Sequence, residues 1–303
     1  MRCWALAEAL QSGGFQVSWR GDIRVPWVGE AIKRAQWQVV APASPQARTE
    51  RAFSVDVVVV DSYSMDPSSQ QALIDQGIPV VAILDDFHVH PSPASLWVNP
   101  GIPIERPEIT GARYLYGIEY VLVREEIRAL RAVREEVSYL SRRPASVTFL
   151  LGGTGAGALW DSIAAVRRCA EGRWDVWAGP WAAATGKDEG LLGPGPELLR
   201  RAAQSDLVVS AAGVSSWEML HVGAPLALTL VADNQRGNYQ WMASQGWAHP
   251  LGDARELMEP ARLVSALSEV LGNPRSGPDT ARGIIDGHGQ DRVAEAIWDL
   301  IRS

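Results

Sequence analysis

Cysteine is nearly missing from this chain of 303 residues: Cys3 and Cys169 are the only two. They show neither a CxxC nor a Cys/His ligand spacing, which argues against a disulfide framework or a cysteine zinc site and fits a reducing, cytoplasmic setting. Long apolar runs are missing as well. Residues 55–60, broken by Asp56, fall far short of the roughly 18 to 20 residues that a membrane span needs. The opening MRCWALAEAL has one arginine and an amphipathic pattern interrupted by Glu8, which is not the order of a secretory signal. Lysine occurs only at Lys33 and Lys187, and the net charge of −7 with a pI near 5.3 leaves no basic footprint. Nucleic acid is therefore a poor partner, because phosphate-backbone binding rests on clustered Lys and Arg.

What is present is an alternation of short β-branched runs with longer stretches of helical period. Residues 55–60, 80–84, 147–151, 207–210 and 226–231 read as buried strands. Residues 2–11, 68–76, 157–168, 196–203, 215–221 and 235–245 read as helices. This predicts an α/β chain of parallel sheets wrapped by helices, long enough for two domains. The charged stretch 124–143 reads as a solvated helix, and Arg142-Arg143-Pro144 punctuates the chain after it. The expected domains are 1–143 and 144–285, with a C-terminal helix in 286–303. The chain opens on a helix, followed by Gly13-Gly14 and a strand carrying Phe15, Val17 and Trp19.

Three βα turns in the second half carry the chemistry. The strand ending in Leu151 runs into Gly152-Gly153-Thr154-Gly155-Ala156-Gly157. Glycines there let the backbone approach a phosphate at a helix N-terminus, although the stretch is neither a P-loop nor a full GxGxxG, and a tight turn explains it equally well. The second turn, Ala212-Gly213-Val214, leads into Ser215-Ser216-Trp217-Glu218. Either serine can cap the helix or bond a phosphate, and Glu218 can accept both hydroxyls of a ribose; the bland reading is an N-cap and a solvated glutamate. The third turn brings Asn234 and Gln235 to the end of another strand, the edge where open α/β sheets bind ligands.

In the first half, Asp61-Ser62-Tyr63 and Asp85-Asp86 follow apolar strands. His88 and His90 alternate as on an extended segment with no third imidazole nearby, so no metal site is expected. His221, His249 and His288 read as structural, and the 13 tryptophans as packing residues.

Taken in order, several stretches resemble one family, the UDP-2,4-diacetamido-2,4,6-trideoxy-β-L-altropyranose hydrolases of pseudaminic acid biosynthesis. They are Arg2-Cys3-Trp4-Ala5-Leu6-Ala7, Val59-Val60-Asp61-Ser62-Tyr63, Leu84-Asp85-Asp86, residues 116–126, Leu151-Gly152-Gly153-Thr154, Ser215-Ser216-Trp217-Glu218, Asn234-Gln235 and residues 286–293. The resemblance implies a GT-B architecture, with two Rossmann-like domains facing across a cleft and the nucleotide held by the second. It implies that Gly152, Gly153, Thr154, Gly213, Ser215 and Ser216 meet the diphosphate, Glu218 the ribose, and Asn234 and Gln235 the diphosphate or sugar. Tyr63 and Asp86 would face the sugar. The reaction implied is hydrolysis of a UDP-sugar at the anomeric carbon, without a cofactor. The family's opening strand and Gly-x-Gly-His-x-x-Arg turn, with its catalytic histidine, would lie before Met1, Arg2 matching the arginine of that turn. Gly155-Ala156 stands where the family has Asp-Pro. A GT-B glycosyltransferase using a UDP-sugar donor and a noncatalytic nucleotide-sugar binding protein are the competing readings.

Overall fold

The computed structural model describes residues 1–21, 23, 26–40, 55–62, 65–85, 93–102, 113–136, 145–151, 159–169, 174–178, 192, 195–272 and 283–302. By its contacts the chain forms two compact units, Met1–Arg124 with His288–Ser303, and Glu125–Gly287.

The first unit opens on helix α1 (Arg2–Ser12), followed by β1 (Ser18–Arg20), α2 (Pro26–Arg34) and β2 (Gln38–Val40). Strands β1 and β2 form a parallel pair. A second parallel sheet takes β3 (Val58–Val60), β4 (Val80–Ile83), β5 (Leu96–Pro100) and β6 (Arg113–Gly117) in chain order, with α3 (Pro67–Asp75) between β3 and β4. Helix α3 starts sharply because Asp66 accepts a hydrogen bond from the Ser68 N–H and Pro67 occupies the first helical position. Leu6 and Leu10 of α1 pack with Val81, Ile83 and Val98 of the sheet and with Val293 and Ile297 of the last helix. A tryptophan cluster of Trp4, Trp19 and Trp37 closes α1 against β1 and α2.

The last helix (Gly289–Arg302) belongs to this unit. Its first residue is glycine because a Cβ at position 289 would collide with the Tyr120–Val121 backbone. Gln290 then accepts the Val123 N–H at 3.1 Å.

The second unit begins with the short helices α4 (Glu125–Arg128) and α5 (Leu130–Glu135). Its body follows as β7 (Ala145–Leu150), α6 (Trp160–Cys169), β8 (Trp174–Ala178), α7 (Pro196–Gln204), β9 (Leu207–Ala211), α8 (Val214–Val222), β10 (Leu226–Leu230), α9 (Arg236–Ser244), β11 (His249–Asp253) and α10 (Pro260–Gly272). The last helix of the chain is thus α11. Sheet order is β11-β10-β9-β7-β8, and every pairing is parallel. Every residue of β9 and β10 is buried, as strands covered by helices on both faces require.

The segment expected to be a solvated helix before a boundary at residue 143 instead packs into the second unit. Ile127, Leu130 and Arg134 are buried. The Arg134 guanidinium donates to the Ala203 and Ser205 carbonyls at 3.2 and 2.8 Å. It satisfies acceptors at the C-terminal end of α7, where intrahelical partners run out and a cation is favoured.

Candidate functional site

The sheet of the second unit has a reversal point. From β8 the chain crosses to β9 on the other side of β7, so the connections leaving β7 and β9 diverge, and the carboxyl ends of these two strands flank the place where such sheets bind ligands. Leu150 of β7 lies opposite Ser210 of β9. The Ala212-Gly213 turn follows β9 directly. Gly152, Gly153 and Thr154 lie outside the described residues.

At the β9 turn, Gly213 is the N-cap of α8 and supplies no side-chain cap. Neither serine serves as the cap that sequence allowed. Ser216 is fully buried, and its hydroxyl donates back to the Gly213 carbonyl at 2.6 Å. Ser215 lies in the first turn and is half-buried. The leading N–H groups of α8 therefore sit without a side-chain acceptor of their own cap, at the positive end of the helix dipole.

Glu218 is 1 % exposed, which overturns the reading of it as a solvated residue. A carboxylate is seldom taken fully out of water unless it is paired or used. Its neighbours on α8 are buried almost throughout, from Ser216 to Val222.

The β10 turn closes toward the same place. Asn234 and Gln235 form a 3-10 turn with Asp233, Asn234 exposed and Gln235 half-buried. The Gln235 amide nitrogen lies 3.5 Å from where a Cβ on Gly213 would stand. The Gln235 amide oxygen is buried without a partner among the described residues. Asn238, one turn further on, donates to the Ala212 carbonyl at 3.3 Å. Sequence reasoning missed Asn238; its signal was an amide four residues after Asn234. Gly213, Ser216, Gln235 and Asn238 are thus drawn around one turn.

In the first unit the carboxyl ends of β3 and β4 meet the start of α1. Arg2 donates from Nε and Nη2 to the two oxygens of Asp61 at 3.2 and 2.5 Å, and from Nη1 to Asp85. Burial opposes the Arg2 charge, but attraction to Asp61 and Asp85 and their hydrogen bonds outweigh it and raise its pKa. Burial, reinforced by Asp61, pushes the Cys3 thiol up to about 12, leaving it protonated and unreactive. The Asn99 amide donates to the Leu84 and Asp85 carbonyls at 2.9 and 2.7 Å. Tyr63 and Asp86 lie outside the described residues, as do His88 and His90. Arg2 and Asn99 were not read from sequence as partners of this edge.

His221 is buried on α8, with Nδ1 2.9 Å from the Ile285 carbonyl. Burial lowers its pKa, and Arg131 and Arg128 lower it further against the opposing Ile285 bond. Among the described residues no group of three or more His, Cys, Asp or Glu could hold a metal ion. Nor is any helix of the described residues long and apolar enough to cross a membrane.

No protein-family model and no curated protein matches the sequence. Solved structures do match its fold. MurG of Acinetobacter baumannii aligns over 98 % of this chain and 95 % of its own, with a TM-score of 0.63 at 18 % identity. The glycosyltransferase of kitacinnamycin aligns over 99 % and 95 %, with a TM-score of 0.65 at 14 % identity. The spinosyn rhamnosyltransferase SpnG, complexed with thymidine diphosphate, aligns over 98 % and 95 %, with a TM-score of 0.63 at 15 % identity. The fold is that of the GT-B glycosyltransferases, with two Rossmann-like units.

Proposed function

We propose, from this GT-B fold and the buried Glu218 beside the Gly213 turn, that the chain is an enzyme acting on a nucleoside-diphosphate sugar, and that it transfers the sugar to an acceptor. The observation that carries the reading is Glu218 itself, a carboxylate 1 % exposed in α8 just beyond a glycine turn at the reversal point of a parallel sheet. In this reading Glu218 accepts the ribose hydroxyls. The N–H groups at the start of α8, Ser215, and the main chain at Gly152, Gly153 and Thr154 receive the diphosphate. Ser216, whose hydroxyl is engaged with the Gly213 carbonyl, shapes the turn rather than donating to phosphate. The Gln235 oxygen, buried without a partner among the described residues, accepts from a hydroxyl of the diphosphate-linked sugar, with Asn234 beside it.

In this reading the chemistry is a displacement at the anomeric carbon. An acceptor hydroxyl attacks the anomeric carbon and gives up its proton to water, the bond from that carbon to the diphosphate oxygen breaks, and the nucleoside diphosphate leaves with the electron pair. Negative charge grows on the leaving diphosphate, where the start of α8 offers fixed N–H dipoles that need no reorganisation. Tyr63 and Asp86 are the proposed sugar-side groups of the first unit. The binding of thymidine diphosphate by the fold neighbour SpnG supports a pyrimidine nucleotide here, with UDP the first choice.

A second reading, hydrolysis, has its own support. Arg2, Asp61 and Asp85 come from three separate stretches that resemble the altropyranose hydrolases, and they meet at one strand edge. In that reaction water replaces the acceptor hydroxyl. Product analysis separates the two: UDP-sugars are incubated with the chain, with and without acceptor alcohols. Nucleoside diphosphate release that depends on the acceptor and yields a glycoside supports transfer. Equal release in both, with free sugar as product, supports hydrolysis.

A further inference from the structure

The His221 imidazole takes no part in the proposed chemistry, yet its surroundings are specific. The residue is 4 % exposed, in the last turn of α8. Nδ1 lies 2.9 Å from the Ile285 carbonyl, and a carbonyl only accepts, so the proton of the neutral ring sits on Nδ1. Nε2 is then a bare acceptor, buried without a partner among the described residues. Gly287 closes over the same ring: a Cβ there would stand 2.5 Å from Cε1 and 3.0 and 3.1 Å from Nδ1 and Nε2.

The charges around the ring oppose a second proton. Arg131 of α5 and Arg128 of α4, helices that pack against α8, repel it, and Asp286 attracts it less strongly. Other charges on the elements packed against α8 are engaged elsewhere: Arg134 on the Ala203 and Ser205 carbonyls, and Glu197 with Arg200 and Arg201. Glu125 pairs with Arg128 and Glu135 with Arg131, while Glu126 is exposed. Strands β9 and β10 carry no charge, and Glu218 lies one turn earlier on α8 itself. A second proton would sit on Nε2, buried and with no acceptor among the described residues, which is costly. Lifting the covering segment so that Nε2 meets water removes that cost, and such local opening is cheaper than unfolding a core sheet.

The segment so held is a connection. The chain passes between its two units at Arg124–Glu125 and at Gly287–His288. Ile285–Gly287 immediately precedes the second passage, and α4 and α5 follow the first. We infer that His221 is a pH-sensitive latch: its neutral imidazole pins Ile285–Gly287 to α8, and its protonation releases that segment while the sheet of the second unit stays folded. The latch is closed above about pH 6.5, the ordinary value of an exposed imidazole. Below that value the open state gains population, because it binds the proton that the closed state resists.

Thermolysin, which cuts before large apolar residues, tests this on the full chain. Ile285 is 1 % exposed, so cleavage before it requires the segment to lift, and its initial rate reads the open population. That rate is divided by the rate for a synthetic peptide of residues 280–290, which removes the pH dependence of the protease. From pH 7.5 to 5.5 the ratio for the parent rises about three- to tenfold, the effect of one proton taken up on opening. For His221→Asn, whose amide keeps a donor near the Nδ1 position and does not titrate, the ratio is the same at both pH values. In the parent the cut before Ile285 precedes any cut within β9 or β10. A parent ratio that does not change with pH overturns the proposal, as does an equal rise in His221→Asn. Cuts in β9 or β10 that keep pace with the cut before Ile285 overturn it too, because the opening is then global. Should His221→Asn fail to fold, His221→Gln carries the same expectation and the same refutation.

Discussion

Replacing Glu218 by alanine removes a carboxylate that is 1 % exposed from the centre of the proposed ribose site. Hydrogen bonds to a charged acceptor contribute about 1.5 to 3 kcal/mol each, and the sugar hydroxyls left without a partner would recover part of that from water. The net loss in UDP affinity is therefore about 1 to 3 kcal/mol, or roughly 5- to 150-fold in Kd. Isothermal titration of UDP against parent and variant measures it. A companion titration with 2′-deoxy-UDP locates the contact: the nucleotide missing one hydroxyl should suffer less from the substitution than UDP does. Because α8 is buried along most of its length, the variant's melting temperature is recorded beside the affinity. Unchanged UDP affinity in a folded variant, or an equal penalty for UDP and 2′-deoxy-UDP, would remove Glu218 from the ribose role.

Two other expectations test the second unit. The lowered pKa of His221, caused first by burial, means that below about pH 6.5 the unfolded chain binds a proton that the folded chain resists. Stability should fall as pH drops below that value and be flat above it, and melting curves between pH 5 and 8 should show a shallower dependence for His221→Gln. Gly287→Ala places a Cβ 2.5 Å from the His221 ring at φ +80°. Steric overlap and the positive φ together should destabilise by about 2 to 4 kcal/mol, read as a lowered urea midpoint; a midpoint equal to the parent's would contradict this local packing.

Much of the fold was legible because β7, β9 and β10 are apolar runs that only a sheet covered on both faces makes sense of, and because helical stretches alternate with them. Other strands were hidden for physical reasons. In β8, Trp174, Val176 and Ala178 point inward while Asp175 and Trp177 are half-exposed, a period of two disguised by tryptophans on both faces. Strand β11 contains Pro250 and meets a register shift between Leu228 and Thr229; it is tolerated because β11 is an edge strand, where a missing N–H need not break a ladder. β5 carries Asn99, a polar residue that sequence gives no reason to bury, and topology supplies the reason by bringing it to the Leu84 and Asp85 carbonyls.

The turn residues of the candidate site could be picked out from sequence, while the side-chain partnerships around them could not. Gly213, Ser216 and Gln235 were marked by position alone. That Ser216 turns inward, and that Glu218 is buried, depends on helices packed from elsewhere in the chain. Arg2 pairs with residues 59 and 83 positions away, a link that only the order of strands creates. The resemblance to the altropyranose hydrolases implied a GT-B architecture, and that is the fold the solved structures share with the chain.

The central claim is that the second unit holds the nucleoside diphosphate of a sugar donor, and calorimetric titration of the chain with UDP and thymidine diphosphate tests it most directly. Saturable one-to-one binding of either nucleotide, weakened by Glu218→Ala, is the predicted result. No binding of any nucleoside diphosphate at millimolar concentration by the folded chain would contradict it.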